Sequence, residues 1–302
     1  MSEDTNPTRC GLVAVLGAPN AGKSTLVNQV VGQKVAITSP KAQTTRTRLL
    51  GIALAGPAQI MLVDTPGIFD PDRRFDRAMV NAAWEGSDGA DVIALVVDAK
   101  AKRSDRLERL VEQVAMRSER KILVLNKVDI AAKDKLLVQA QHLHAAGGFD
   151  EVFFISALTG DGVEELKAWL AAAMPEGQWH FPEDQVSDAS ERLLATEITR
   201  EQLFNQLHAE LPYASAVVPE KYITRKDGSI EIHQQILVAR DTQRAIVLGK
   251  GGARIKEIGE RARAELSKVL GVPVHLFLHV KVQEGWDEDR EIYETIGLGW
   301  VK

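Results

Sequence analysis

The run Gly17-Ala18-Pro19-Asn20-Ala21-Gly22-Lys23-Ser24, followed by Thr25, places glycines, one lysine and one hydroxyl where a polyanion would need them. Glycine-rich backbone turns N–H groups inward on phosphates, Lys23 reaches the β- and γ-phosphates, and the Ser24 hydroxyl ligates Mg²⁺. Asp64-Thr65-Pro66-Gly67 ends an apolar run, where Asp64 holds the same metal through water and the Gly67 N–H meets the γ-phosphate. In Asn126-Lys127-Val128-Asp129 the carboxylate suits guanine N1–H and N2–H₂. Adenine offers neither donor, so a buried Asp129 would stay unpaired against it. The Lys127 stem can lie over the base, and in Ser156-Ala157-Leu158 the Ala157 N–H can meet guanine O6. The second and fourth motifs are common turns in isolation, and the ordered set is what points to GTP and GDP.

Between the first two motifs, residues 41–48 (KAQTTRTR) form a polar segment. A threonine here should close over Mg²⁺ and the terminal phosphate. Thr45 is the expected ligand, with Thr44 as the alternative. Triphosphate would order the segment and hydrolysis release it. Many GTPases carry a glutamine after the glycine of the second motif to orient water. Ile68 occupies that position and cannot hydrogen-bond, so hydrolysis falls to Lys23, Asn20, Thr45 and Gly67 with outside help. Asn20 is either an oxygen donor for K⁺ beside the phosphates or a residue that merely shapes the loop.

The second half carries a different device. Gly249-Lys250-Gly251-Gly252, followed by Arg254 and Lys256, sits between two helical segments. A GxxG turn there admits a sugar–phosphate backbone closely, as in the single-strand clamp of KH modules. An ordinary helix–helix turn can also be written GxxG. The element order and the local charge favour the clamp: residues 240–268 hold eight Lys or Arg and four Asp or Glu.

The elements that must position these groups follow from periodicity. Apolar runs near 11–17, 59–63, 92–98, 121–125 and 151–155 alternate with helical spacing near 22–31, 104–118, 133–146 and 162–173. This predicts an α/β domain with a mostly parallel sheet, and 49–54 should pair antiparallel with 59–63. Pro175, Gly177 and Pro182 read as a linker, with Trp169, Trp179 and Phe181 packing at the junction. Beyond it come a helix through Leu194, Ile198, Leu203, Leu207 and Leu211, strands near 213–223, 230–239 and 273–282, and an acidic tail after Gln283. The expected domains are therefore 1–174, a linker 175–186, and an α+β domain over 187–302.

Two domains also match 302 residues. The net charge of −5 confines any nucleic-acid surface to a local patch. A single cysteine, Cys10, excludes an intramolecular disulfide framework. Residues 1–9 lack a signal-peptide core and no run approaches a membrane span, so a cytoplasmic location is expected.

These residues resemble the Era family of bacterial ribosome-associated GTPases over nearly the whole chain. The likeness includes QKVAITS at 33–39, KAQTTR at 41–46, HFPED at 180–184, ELPY at 210–213 and VPVHL at 272–276. The resemblance implies a P-loop GTPase followed by a type II KH domain, binding of the 3′ end of small-subunit rRNA, and assistance to small-subunit assembly. It also implies loose, peripheral contact with the inner membrane; a monomer is expected. Other readings are a GTP-dependent RNA-modification factor and an RNA-binding scaffold with another target. Against them stand the absence of a second catalytic constellation in 183–302 and the intact set Lys23, Ser24, Asp64, Asn126 and Asp129.

Overall fold

The computed structural model describes residues 7–41 and 43–301. Residues 1–6, part of the polar N-terminal stretch read above, lie outside the described residues, as do Ala42 and Lys302. Two compact units emerge. One takes the chain up to Ala36, then Thr45–Pro71 and Met79–Asp188; the other takes Ile37–Thr44, Asp72–Ala78 and the chain from Ala189.

The first unit holds β1 (Arg9–Leu16), α1 (Lys23–Val31), β2 (Leu49–Ala55) and β3 (Ala58–Asp64). After α2 (Arg74–Glu85), whose residues up to Ala78 are counted with the second unit, come β4 (Val92–Asp98), α3 (Asp105–Ala115), β5 (Arg120–Asn126), α4 (Lys133–Gly147), β6 (Glu151–Ile155) and α5 (Val163–Ala173). The sheet order is β2-β3-β1-β4-β5-β6, with only β2 antiparallel to its neighbour. Val, Ile and Leu fill β4 and β5 because both sheet faces are covered. On one face Leu26, Val27 and Val30 of α1 pack with Leu166 and Leu170 of α5. On the other, Leu110, Val111 and Val114 of α3 pack with Ala140 and Leu143 of α4. Each buried Leu, Ile or Val contributes roughly 1.5–3 kcal/mol. All parallel strands therefore end on one edge, where α/β sheets bind ligands, and the four motifs lie there.

The second unit holds α6 (Glu191–Gln206), β7 (Ser215–Thr224), β8 (Ile230–Val238), α7 (Asp241–Leu248), α8 (Ala253–Leu270), β9 (Val274–Val282) and α9 (Arg290–Ile296). β7 pairs antiparallel and β9 parallel with β8. Leu203, Val217, Ile236, Val247, Ile258 and Val280 form a core between this sheet and α6, α7 and α8.

Two elements were not anticipated, and two readings are revised. Helix α2 was not anticipated: its buried face is Phe75, Ala78, Met79 and Ala83, and alanines leave a faint apolar stripe. The acidic tail is folded: Trp286 and Tyr293 are buried, while Glu291 and Glu294 of α9 are exposed. The segment read as a linker is docked on the first unit, with Gln59 Oε1 accepting from the His180 and Phe181 N–H groups and Ile52 N–H donating to Val186. Trp179 and Phe181 accordingly pack beside Cys10, Leu50 and Met61, and Trp169 against Phe153, all within the first unit. No helix among the described residues is long and apolar enough to cross a membrane.

Candidate nucleotide and RNA sites

β1 ends at Leu16 and α1 begins at Lys23, so residues 17–22 make the whole turn. Gly22 caps the helix at φ 94°, and a Cβ there would stand 2.2 Å from Asn126 Nδ2. Only glycine both takes that conformation and lets the base-reading motif pack on the phosphate loop. No side chain caps the first N–H groups of α1, which leaves a donor-rich helix end suited to anions.

The Lys23 ammonium is buried and donates to the Gly17 and Ala18 carbonyls at 3.2 and 3.1 Å. Burial pushes its pKa down to about 8, against the opposing attraction of Asp64. A phosphate brought beside it would favour the charged form.

The three expected metal ligands converge. Ser24 Oγ donates to Asp64 Oδ2 at 2.6 Å, Thr45 Oγ1 lies 2.8 Å from Ser24 Oγ, and Thr45 Oγ1 donates to Asp64 Oδ2 at 3.2 Å. Two hydroxyls and a carboxylate at one point form an all-oxygen donor set that fits Mg²⁺, which keeps waters in its remaining positions. Thr44 is placed elsewhere: its hydroxyl donates to the Lys41 carbonyl at 2.8 Å.

Gly67 packs so closely that a Cβ would stand 2.7 Å from Pro19 Cα. Its neighbour Thr65 is a structural anchor, with its hydroxyl donating to the Val15 carbonyl at 2.7 Å. Thr25 continues the first turn of α1, half-buried.

On the base side, Asn126 Nδ2 donates to the Ala21 carbonyl at 2.9 Å, and Asn126 Oδ1 accepts from the Lys127 and Ala157 N–H groups at 2.8 and 2.9 Å. One asparagine thus ties three motifs together. The Ala157 N–H, expected at guanine O6, here holds Asn126 instead. Lys127 adopts φ 69° and its ammonium bridges the Asn20 carbonyl and Asp98 at 2.6 and 2.7 Å. Asp98, which the motifs do not mention, orients it. Asp129 and Leu158 are exposed, so the discrimination argued from a buried Asp129 requires a base to cover it.

In the second unit, Gly249 at φ 72° would place a Cβ 2.8 Å from Arg254 Cβ. A Cβ at Gly251 or Gly252 would meet open space, leaving their backbone approachable. Lys250 is exposed, and Lys256 lies 3.9 Å from Glu260. Arg254, expected on phosphate, ties its guanidinium to the Ile246 carbonyl at 2.7 Å. Beside the loop runs a groove of about 380 Å³ in which Ile255, Gly259, Leu276 and Leu278 are flanked by the charged Lys256, Glu260 and Arg263. Gly259 was missed. Its signal was a glycine inside a helix, which costs about 1 kcal/mol against alanine; an added Cβ there would stand 3.7 Å from Leu278 Cδ1, in ordinary contact across the groove.

The fold and the two sites define a P-loop GTPase joined to a KH domain. A family model described as a 50S ribosome-binding GTPase matches residues 12–127, and one described as a KH domain matches 210–287. The GTPase Era of Erythrobacter litoralis is 67% identical over 299 residues, covering 98% of each chain. That of a Bradyrhizobium species is 54% identical, covering 96% of this chain and 94% of its own. A crystal structure of Era in complex with MgGDPNP and nucleotides 1506–1542 of 16S ribosomal RNA superposes with a TM-score of 0.91 at 38% identity, covering 96% of this chain and 99% of its own. A variant of Aquifex aeolicus Era bound to GDP·AlF4⁻ gives 0.90 at 38% identity, with the same coverage of the two chains. The chain belongs to the Era family of GTPases.

Proposed function

We propose that this GTPase binds the 3′ end of small-subunit rRNA through its KH domain under control of its bound nucleotide, and so assists assembly of the small ribosomal subunit. The observation that supports the reading is that two residue clusters of different chemistry stand in one chain. One is the Ser24–Thr45–Asp64 oxygen cluster beside Lys23; the other is the 249–252 loop with its apolar groove. A relative alike over 96% of this chain holds both MgGDPNP and the 16S fragment. The description of the 12–127 match speaks of the large subunit, but it covers the GTPase half alone, and the RNA-binding half decides the target.

In this reading the 17–25 loop cradles the phosphates and Lys23 balances the charge on their β- and γ-oxygens. The Gly67 N–H donates to the γ-phosphate. Ser24 and Thr45 would hold Mg²⁺, with Asp64 acting through water, and the ion would supply charge neutralisation at the phosphates. Asn126, Lys127, Asp129, Ser156 and Ala157 surround guanine. A base placed over Asp129 removes it from water, so adenine leaves a carboxylate unpaired. Lys250 and the backbone of Gly251 and Gly252 receive the RNA phosphates, and bases enter the apolar groove.

Ile68 supplies no hydrogen bond to water, so turnover depends on a monovalent cation or a partner. Asn20 sits in the phosphate loop, where a side-chain amide oxygen is a donor of the kind K⁺ accepts. Turnover measured in K⁺ and in Na⁺, for wild type and Asn20→Ala, tests this. A K⁺ stimulation lost in the variant supports the site, and equal rates throughout eliminate it. The family reading extends to a cytoplasmic monomer whose contact with the inner membrane would be peripheral.

A further inference from the structure

The second motif continues into residues 68–70, which belong to no helix or strand. What holds them is α3. Ile68 is only 8% exposed and packs in one cluster with Leu16, Leu95 and Leu110. Its N–H donates to the Gly17 carbonyl at 3.1 Å, and its own carbonyl accepts from Arg106 Nη2 at 3.2 Å. Ile68 is therefore gripped on both sides of its Cα, once by the phosphate loop and once by α3. The Arg106 guanidinium also lies 5.9 Å from the Phe69 ring centroid.

Arg106 is an unexpected residue for this place. It is the second residue of α3, where the helix dipole disfavours a cation. Ser104 and Asp105 begin that helix in the ordinary way, with the Ser104 side chain accepting from the Leu107 N–H. The charge at 106 works against the helix that carries it, and its guanidinium donates instead to the Ile68 carbonyl, next to the second motif.

We infer that Arg106 is a positioning residue for GTP hydrolysis. It holds the Ile68 carbonyl so that the adjoining Gly67 stays against Pro19 and its N–H is presented to the γ-phosphate. Position 68 thereby serves as an anchor: the isoleucine side chain is sunk in the α3 core and the backbone is pinned by Arg106. The inference rests on the Gly67 role proposed above and deepens it. It concerns the triphosphate state, because GDP has no phosphate for Gly67 to meet.

The test measures GDP affinity, affinity for a non-hydrolysable GTP analogue, kcat and KM for wild type, Arg106→Ala, Arg106→Lys and Arg109→Ala. Arg109 forms an exposed pair with Asp70 at 3.3 Å, so its variant controls for general loosening of this surface. Arg106→Ala should weaken the analogue and lower kcat by about tenfold each, the loss of one charge-assisted hydrogen bond, while GDP affinity stays within about twofold. Arg106→Lys should recover part of both losses, and Arg109→Ala should match wild type. Equal weakening of GDP and analogue, or no change in either, overturns the inference. So does an equal defect in Arg109→Ala. Lys23→Ala runs alongside: wild-type turnover that Lys23→Ala loses and Arg106→Ala keeps rejects Arg106 while sparing the hydrolysis reading. If wild type itself shows no turnover, that reading falls, and the two affinities still decide Arg106.

Discussion

The Thr45 hydroxyl lies 2.8 Å from the Ser24 hydroxyl, and both reach the same oxygen of Asp64. Three residues from three separate segments are thus gathered at one point with chemistry for one hard cation. Thr45→Ala should weaken binding of a magnesium–GTP analogue about tenfold, as one ligand of a catalytic metal is lost, and leave GDP nearly unchanged. Thr44→Ala should stay within about twofold of wild type, its hydroxyl serving only the Lys41 carbonyl. Fluorescent-nucleotide titration reads both, and a larger defect in Thr44→Ala would reverse the assignment.

The lowered Lys23 pKa sets a pH window. The folded value, about 8, lies below the ordinary 10.5. Between these the unfolded chain holds more protons, so this group's contribution to stability rises with pH across the window. Nucleotide binding has the opposite sign, because phosphates favour the ammonium. At about pH 9, GDP binding should take up close to one proton, and affinity should fall as pH rises further. Calorimetry in two buffers of different ionisation enthalpy measures the uptake. Its absence in wild type, or its persistence in Lys23→Met, would count against the lysine.

Base selection depends on one carboxylate. Asp129→Asn replaces an acceptor with a donor, so GTP affinity should fall at least about a hundredfold while xanthosine triphosphate, with a carbonyl at C2, gains. Competition binding with the two nucleotides decides it. A variant that still prefers GTP would move guanine recognition away from Asp129.

The last helix is structural. Trp286 and Tyr293 meet Phe75 edge-on at 5.7 and 5.4 Å, and Trp286 is 2% exposed. Trp286→Ala should destabilise the second unit by about 3–5 kcal/mol, as urea unfolding would register. A cost below about 1 kcal/mol would return this segment to the status of a tail.

Much of the site was legible because it is local. Strand 92–98 is a continuous apolar run and each motif follows a strand, so residue spacing alone placed Lys23, Asp64 and Asn126 on one sheet edge. Thr44 and Thr45 are adjacent and chemically identical, and only the folded path of the chain separates them. Ala157 pairing with Asn126, Arg106 with Ile68, and Gln59 with the 180–181 backbone join residues 31, 38 and about 120 positions apart, and no local pattern encodes such pairs. Helices α2 and α9 escaped notice for opposite reasons: the first buries alanines, and the second surrounds one buried tyrosine with charge.

The central claim is that the 249–252 loop and its groove bind the 3′ end of small-subunit rRNA. The most direct measurement crosslinks the GTP-analogue-bound protein to total cellular RNA and sequences the bound fragments. Gly252→Asp is run in parallel, since it adds negative charge where a phosphate must approach and leaves the nucleotide site intact. The account predicts enrichment of the small-subunit rRNA 3′ end by wild type, loss of that enrichment in Gly252→Asp, and unchanged GTP binding in both. Enrichment of tRNA or another RNA, or equal capture of the 3′ end by the variant, would contradict it.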